Sequence, residues 1–363
     1  MTLRSRNGGT NAHTHLYSGL SPFGLPPLDP KPRNFLDILE RRWWRLDRAL
    51  DPETLRASAR FYIAEALCAG TTTLVDHHES PGFIRGSLDI LADACEELGI
   101  RALLCYGITE RNGGAEEAEA GLLENERFLE ANQRKLVKGA VGIHASFTVS
   151  DETLSKAGAL ARRLGAVVHV HVAEDIADVD DAKRRGYQGP LERMLVLEAL
   201  PPGSILAHGV FLSEAEVALA SDAGLWLVQN PRSNEENQVG FAESLGQNAR
   251  VALGTDGFPS DLRAESSALL RIASERGAAF AGLLPALREE ASRRLVEEMF
   301  GNSKPEDHVD EDEENIQNVV VAGRDIVRDG QLLTADRATL RDEAVLAARQ
   351  LFSRMQSIGD HHD

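Results

Sequence analysis

The chain has 363 residues, 42% hydrophobic and 26% charged, enough apolar material for a core of one or two domains and too much for a chain disordered as a whole. Fifty-seven acidic against 39 basic residues give a formal net charge of -18, which argues against nucleic-acid backbones and anionic membrane surfaces as partners. Cys68, Cys95 and Cys105 match no metal or redox motif, no apolar run approaches the roughly 20 residues of a membrane span, and MTLRSRNGGTNAHTH holds no apolar signal segment, so a soluble cytoplasmic protein is expected.

From the N-terminus, the stretch ending at Asn11–His15 is the first candidate strand. A proline-rich loop, Pro22–Pro32, and helical segments at 34–47 and 52–69 follow it. From Thr71 onward, short β-branched or apolar runs alternate with amphipathic segments of helix length, and strands are expected at 71–76, 101–107, 137–144, 166–172, 204–208, 225–229 and 250–255. Eight strands spaced roughly 20 to 40 residues apart suit an α/β fold of the (β/α)8, TIM-like barrel type. An open doubly wound sheet would alternate in the same way, but it would gather its ligand groups at one switch point. Here histidines or carboxylates end strands at His15, Asp76, His144, His171 and His208 and near Asp256, which is the distribution a barrel offers. Gly-rich dinucleotide and P-loop phosphate cradles are missing.

Helical stretches at 262–276 and 283–300 follow the last strand, and the acidic run SKPEDHVDEDEEN (303–315) reads as a solvated linker. Residues 318–334 read as a hairpin turning at Ala322-Gly323-Arg324, followed by an amphipathic helix at 339–356 and a frayed tail, His361-His362-Asp363. The expected organisation is a barrel at 1–302, the linker, and a hairpin plus C-terminal helix at 316–363.

Eight of the eleven histidines fall at or just after predicted strands. Residues i and i+2 of a strand face one side, so His13 and His15 present two imidazoles to one point, as do His169 and His171. Any one of them alone reads as a hydrogen-bonded core residue; together they point to a metal, for which a catalytic site needs about three protein ligands and an open position.

The motifs NAHTHLYSG, GTTTLVDHHESP, HVHVAED, AHGVFLS, NPRSNEENQVG and LGTDGFPSD, from Asn11 to about Gly301, resemble the amidohydrolase superfamily, closest to its cytosine-deaminase and chlorohydrolase-like branch, which includes aminohydrolases associated with selenium metabolism. The resemblance implies one divalent metal, zinc in the first place and iron as the alternative, held by His13, His15, His171 and Asp256. Glu174 and His208 would flank the metal-activated water as acid/base and electrostatic partner, with Asp256 accepting its proton. Two-metal members carry a modified lysine at the end of the fourth strand; here that strand ends in Ile143-His144, with Lys135 and Lys138 at its other end, so one metal is expected. His144 matches a substrate-contacting histidine. Trp43, Asn230 and Asn234 complete the substrate-facing candidates, although Trp43 and Trp44 suit core packing equally and Asn230, Ser233 and Asn234 favour internal turns. At most one of the adjacent His77 and His78 can reach the pocket, and Glu110 and Arg111 are lesser candidates for meeting a charged substituent.

Relatives of this branch carry a small β-sandwich built from an N-terminal arm and from strands after the barrel. Only ten residues precede Asn11 and the acidic run stands where a sandwich strand should be, so a truncated remnant is expected, with an unpaired hairpin prone to self-association and compatible with a homodimer. The activity implied is that of a metal-dependent aminohydrolase releasing ammonia from an aminated heterocycle, a small molecule. Hydrolytic dechlorination or cyclic-amide hydrolysis at the same site stands as the alternative, as does a catalytically silent relative serving as a metal-binding or interaction protein.

Overall fold

The computed structural model describes residues 3–301, 307–313 and 315–359. Its strands, in chain order, are β1 (Arg4–Asn7), β2 (Gly9–Thr14), β3 (Thr71–Asp76), β4 (Arg101–Leu104), β5 (Gly107–Ile108), β6 (Val137–Gly139), β7 (Val141–Ala145), β8 (Val168–Val172), β9 (Ile205–His208), β10 (Trp226–Gln229), β11 (Val251–Leu253), β12 (His308–Glu311), β13 (Ile316–Val321), β14 (Arg324–Arg328) and β15 (Gln331–Leu332). Strands β3, β7 and β8 are buried at every position, the pattern of parallel strands covered on both faces.

Two parallel sheets, β2-β3-β4-β6 and β5-β7-β8-β9-β10-β11, make up the (β/α)8 barrel, because β4 with β5 and β6 with β7 are single barrel strands broken in the middle. The break has a local cause. Asn125, fully buried on the helix Gly114–Ala131, accepts from the Tyr106 and Gly142 amides and donates to the Tyr106 carbonyl, so its side chain stands in for ladder hydrogen bonds there. Closure comes at the other side, where the amides of Thr255 and Asp256 both donate to the His13 carbonyl at 3.0 Å and Thr14 bridges to Asp256.

The segment expected as one helix at 34–47 is three pieces: an α-turn at Phe35–Ile38, a π-turn at Leu39–Trp43 and a helix at Trp44–Ala49. The wider π-turn lets both Trp43 and Trp44 face the mouth of the barrel.

The C-terminal region departs from expectation. Four residues of the acidic run, His308–Glu311, form β12, which pairs antiparallel with β1 on one side and β13 on the other. The result is a five-stranded sheet, β1-β12-β13-β14-β15, in place of a lone hairpin. The acids are matched from far away in sequence: Arg6 binds Glu311 at 2.8 Å and Arg101 binds Asp307 at 3.0 Å, while Val309 between them is fully buried. Residues 303–306 and 314 of the expected linker, and the tail at 361–363, lie outside the described residues. The hairpin turn at Ala322-Gly323 is as expected, with both residues at positive φ, 50° and 74°.

This sheet has no separate core. Val309, Val319, Ile326 and Val327 share one apolar cluster with the barrel helices Pro52–Cys68 and Ser87–Leu98 and with the last helix, Arg337–Ser357. Ile326 packs where a side chain of Gly99 would stand, 2.6 Å from that missing Cβ, and Arg337 grips Glu65 through two 2.7 Å bonds. Short β15 and arginine-bearing β1 leave little edge for pairing with another chain. Leu351→Ala, at a fully buried site of the shared core, should cost about 2–5 kcal/mol. In urea, the variant and the parent should each lose sheet and barrel in one transition, and an earlier separate step would contradict the shared core.

Candidate metal centre and cavity

Each histidine at the barrel mouth spends one ring nitrogen on an anchor. His15 Nδ1 donates to the His77 carbonyl at 2.5 Å, His171 Nδ1 to the His144 carbonyl at 2.6 Å and His208 Nδ1 to Asn234 Oδ1 at 2.8 Å. A carbonyl or amide oxygen only accepts, so these contacts place a proton on Nδ1 of each ring, and whenever a ring is neutral its Nε2 is a lone pair. His13 Nδ1 lies 3.0 Å from His169 Nε2. Ligand atoms of His13, His171, His208 and Asp256 lie within 4.8 Å of one another, and His15 Nε2 stands 2.8 Å from Asp256 Oδ1 and 3.3 Å from His171 Nε2.

Nε2 of His13 and of His208 are buried without a hydrogen-bond partner, although His13 Nε2 comes within 3.2 Å of Asp256 Oδ1. Buried polar atoms are normally satisfied, so lone pairs left converging beside a carboxylate fit a cation. Imidazoles plus one carboxylate suit zinc or iron(II). Among the described residues two further groups come as close, His15 with His77 and His171 and Glu79 with His144 and His171, but both share His171 with the first, and in the former His77 Nε2 and His15 Nδ1 already face backbone carbonyls.

Burial holds His13 down at about 3 against the pull of Asp256, and it pushes His171 well below and His208 below the usual imidazole range, so all three are neutral. Burial opposes charge on His15 as well, yet its hydrogen bond to Asp256, with the charges of Asp256, Glu79 and Asp76, raises it to about 9. The cluster thus draws positive charge to one point. Burial would raise Asp256, but the His13 and His15 contacts hold it well below the carboxylate range, and a hydrogen bond from Ser233 Oγ occupies its other oxygen. Burial and the Asp256 charge push Glu174 well above that range. Backbone strain collects at the same place: His208 and Asp256 adopt φ of 77° and 53°.

A cavity opens above the cluster, its apolar lining made by Phe35, Leu39, Trp43, Trp44 and Phe147. Of the expected residues, His15, His144, His171, Glu174, Asp256 and Trp43 line it. Asn230 and Asn234, expected to face substrate, do not: both are buried behind His208, Asn234 bonding its Nδ1 and Asn230 lying 3.4 Å from the same atom. Of the adjacent pair, His77 joins the cluster, its ring 4.5 Å from that of His171, and His78 turns away to Ser80. His169 backs His13 from beneath. Glu110 accepts from Ser150 and Thr153 at the start of the helix Asp151–Leu164, and Arg111 is buried against Asp47 at 2.5 Å, under Trp44. Glu79, Asp47 and Asp178 line the cavity without having been singled out. The signals for Glu79 were its place three residues beyond Asp76 at a strand end and inside the motif GTTTLVDHHESP.

Among curated proteins the chain is similar to the 5′-deoxyadenosine deaminase of Methanopyrus kandleri, 28% identical over 95% of this chain and 86% of that one. It is also similar to the 5-methylthioadenosine/S-adenosylhomocysteine deaminase of Caldanaerobacter subterraneus subsp. tengcongensis, 31% identical over 70% of this chain and 57% of that one. The 8-oxoguanine deaminase of Pseudomonas aeruginosa is 28% identical over 70% and 60%. The chain therefore spans less than two thirds of the length of the last two. In structure it is like an adenosine deaminase from Xanthomonas campestris with bound zinc, TM-score 0.82 at 24% identity over 98% of this chain and 87% of that one. It is also like an atrazine chlorohydrolase from Arthrobacter aurescens complexed with zinc, TM-score 0.77 at 18% identity over 95% and 88%. These two likenesses show the barrel fold. The family model for the amidohydrolase family matches residues 8–295, most of the chain, and the protein belongs to that family.

Proposed function

We propose that this protein is a metal-dependent deaminase, hydrolysing the bond between a ring carbon and its exocyclic amine in an aminated heterocycle. The observation that carries the reading is the set of buried imidazole Nε2 lone pairs converging on Asp256, two of them without a hydrogen-bond partner. The names of the three relatives favour an amine over chloride as leaving group. His13, His15, His171 and Asp256 would hold the cation, zinc before iron, with His208 beside them.

When bound, a divalent cation supplies Lewis acidity that brings the ionisation of water from 15.7 to roughly 7. Asp256, fixed by Ser233 through Oδ2, keeps Oδ1 toward the cluster, where it can take the proton of the attacking water. Glu174, on the loop after β8 with Oε2 3.6 Å from His208 Nε2, can protonate a ring nitrogen; the proton taken by Asp256 can then pass to the leaving amine, and that of the added hydroxyl can restore Glu174. His208, its Nδ1 fixed on Asn234, offers Nε2 as an acceptor to orient the attacking water. The aromatic side chains in the lining, Trp43, Trp44 and Phe147, offer apolar faces to a planar heterocycle. No helix among the described residues is long and apolar enough to cross a membrane, and the three cysteines are free, in keeping with a reducing cytoplasm.

Elemental analysis of protein purified without a metal-affinity tag should find about one zinc or iron per chain, and His171→Ala should lose it while keeping its fold. Well-folded wild-type protein that takes up no metal on supplementation would put the silent-relative reading first. Glu174→Gln should keep the metal and lose about 10²- to 10⁴-fold in the rate of ammonia release. Wild-type rates in that variant would remove Glu174 from the mechanism.

A further inference from the structure

The roles above leave out the buried pair of His77 and Glu79. Glu79 is 1% exposed, yet it lines the cavity, its carboxylate within 4.8 Å of ring nitrogens of His144 and His171. His77 Nε2 lies 3.0 Å from the Ile143 carbonyl and its Nδ1 2.7 Å from Glu79 Oε1, a close contact that leaves both of these last two atoms without a hydrogen bond. The other oxygen, Oε2, lies 3.8 Å from His15 Nδ1, whose proton goes to the His77 carbonyl, so Oε2 has no hydrogen-bond donor among the described residues. Room is kept for this carboxylate: a Cβ on Gly107 would stand 2.6 Å from Glu79 Oε1 and from His77 Cε1. A buried carboxylate that receives no hydrogen bond from the described residues is costly unless a ligand supplies a donor.

The charge of the cavity narrows what that ligand can be. Six carboxylates line it, and among the described residues no lysine or arginine does. Arg111, behind Asp47, is 4% exposed and engaged with that carboxylate. A phosphate or carboxylate on a substrate would meet these acids with no lysine or arginine among the described residues to pair with it.

On the deaminase reading given above, we propose that Glu79 is a specificity-determining residue that accepts a hydrogen bond from an N–H of the bound heterocycle, and that the substrate carries no phosphate or carboxylate. His77 acts through Glu79 as its positioning residue.

The test uses the zinc-loaded enzyme and matched probes that differ by one anionic group: adenosine against adenosine 5′-monophosphate, and cytosine against cytosine-5-carboxylate. Ammonia release should come from a neutral member, with kcat/KM at least about 100-fold lower for its anionic partner. Glu79→Gln should raise KM about 10- to 100-fold with metal content and melting temperature unchanged, the range for losing a hydrogen bond to a charged group. Gly107→Ala, which keeps the charge but crowds its position, should raise KM as well. Equal turnover of the anionic partner, wild-type KM in Glu79→Gln, or loss of metal from that variant would each overturn the proposal. Should no probe release ammonia, the deaminase reading fails by itself, and Glu79 is judged by binding. Neutral probes that raise the melting temperature of the parent and not of Glu79→Gln would then support its role, and shifts that are equal or absent in both would overturn it.

Discussion

A neutral imidazole has one donor and one acceptor, and the rest of the site follows from which of the two is tied down. Backbone carbonyls at the strand ends, His77 and His144, and the amide oxygen of Asn234 take the donors of His15, His171 and His208. Since those acceptors belong to the next strand or loop around the barrel, the hydrogen bonds that orient each ring also hold neighbouring strand ends in place. Burial then keeps His13, His171 and His208 neutral, and the lone pairs have nowhere to point but inward, at Asp256. A preorganised cluster of this kind costs folding energy in unsatisfied nitrogens and in left-handed backbone at His208 and Asp256, which the surrounding barrel must offset.

The barrel was legible because its parallel strands are short, apolar and regularly spaced, and the run at 71–76 appears in the structure with the same bounds. The third and fourth strands read as continuous, and their interruption was hidden because its cause is one side chain, Asn125, on a helix whose composition is unremarkable for a crossover. Strand β12 was hidden in the same way. Acidic composition signals solvation when nothing opposes it, and the opposing charges, Arg6 and Arg101, stand some 200 to 300 residues away.

The site was legible in part. Period-two spacing and strand-end position revealed His13, His15, His171 and His208, since those are properties of single strands. Asn230 and Asn234 sit at a strand end too, yet their depth behind His208 depends on the loop after β10 folding into the short helix Pro231–Glu236, which turns both amides inward. Glu79 stands two residues after His77 but beyond the end of its strand, where that spacing no longer fixes a face. The role proposed for it rests on a gap left by Gly107 on the next strand and on a carbonyl beside His77, and neither is visible without the fold.

The cluster also joins the two partial sheets of the broken barrel. His13 and His15 come from the four-stranded sheet, His171 and His208 from the six-stranded one, and Asp256 from just beyond its last strand. Contacts of Asn11, His13 and Thr14 with Thr255 and Asp256 close that side, between residues more than 240 apart in sequence. A cation held by His13, His15 and Asp256 would tie the two ends of the barrel together. Since the site is assembled only in the folded chain, unfolding would release the cation, so that metal affinity and resistance to unfolding become two readings of one quantity.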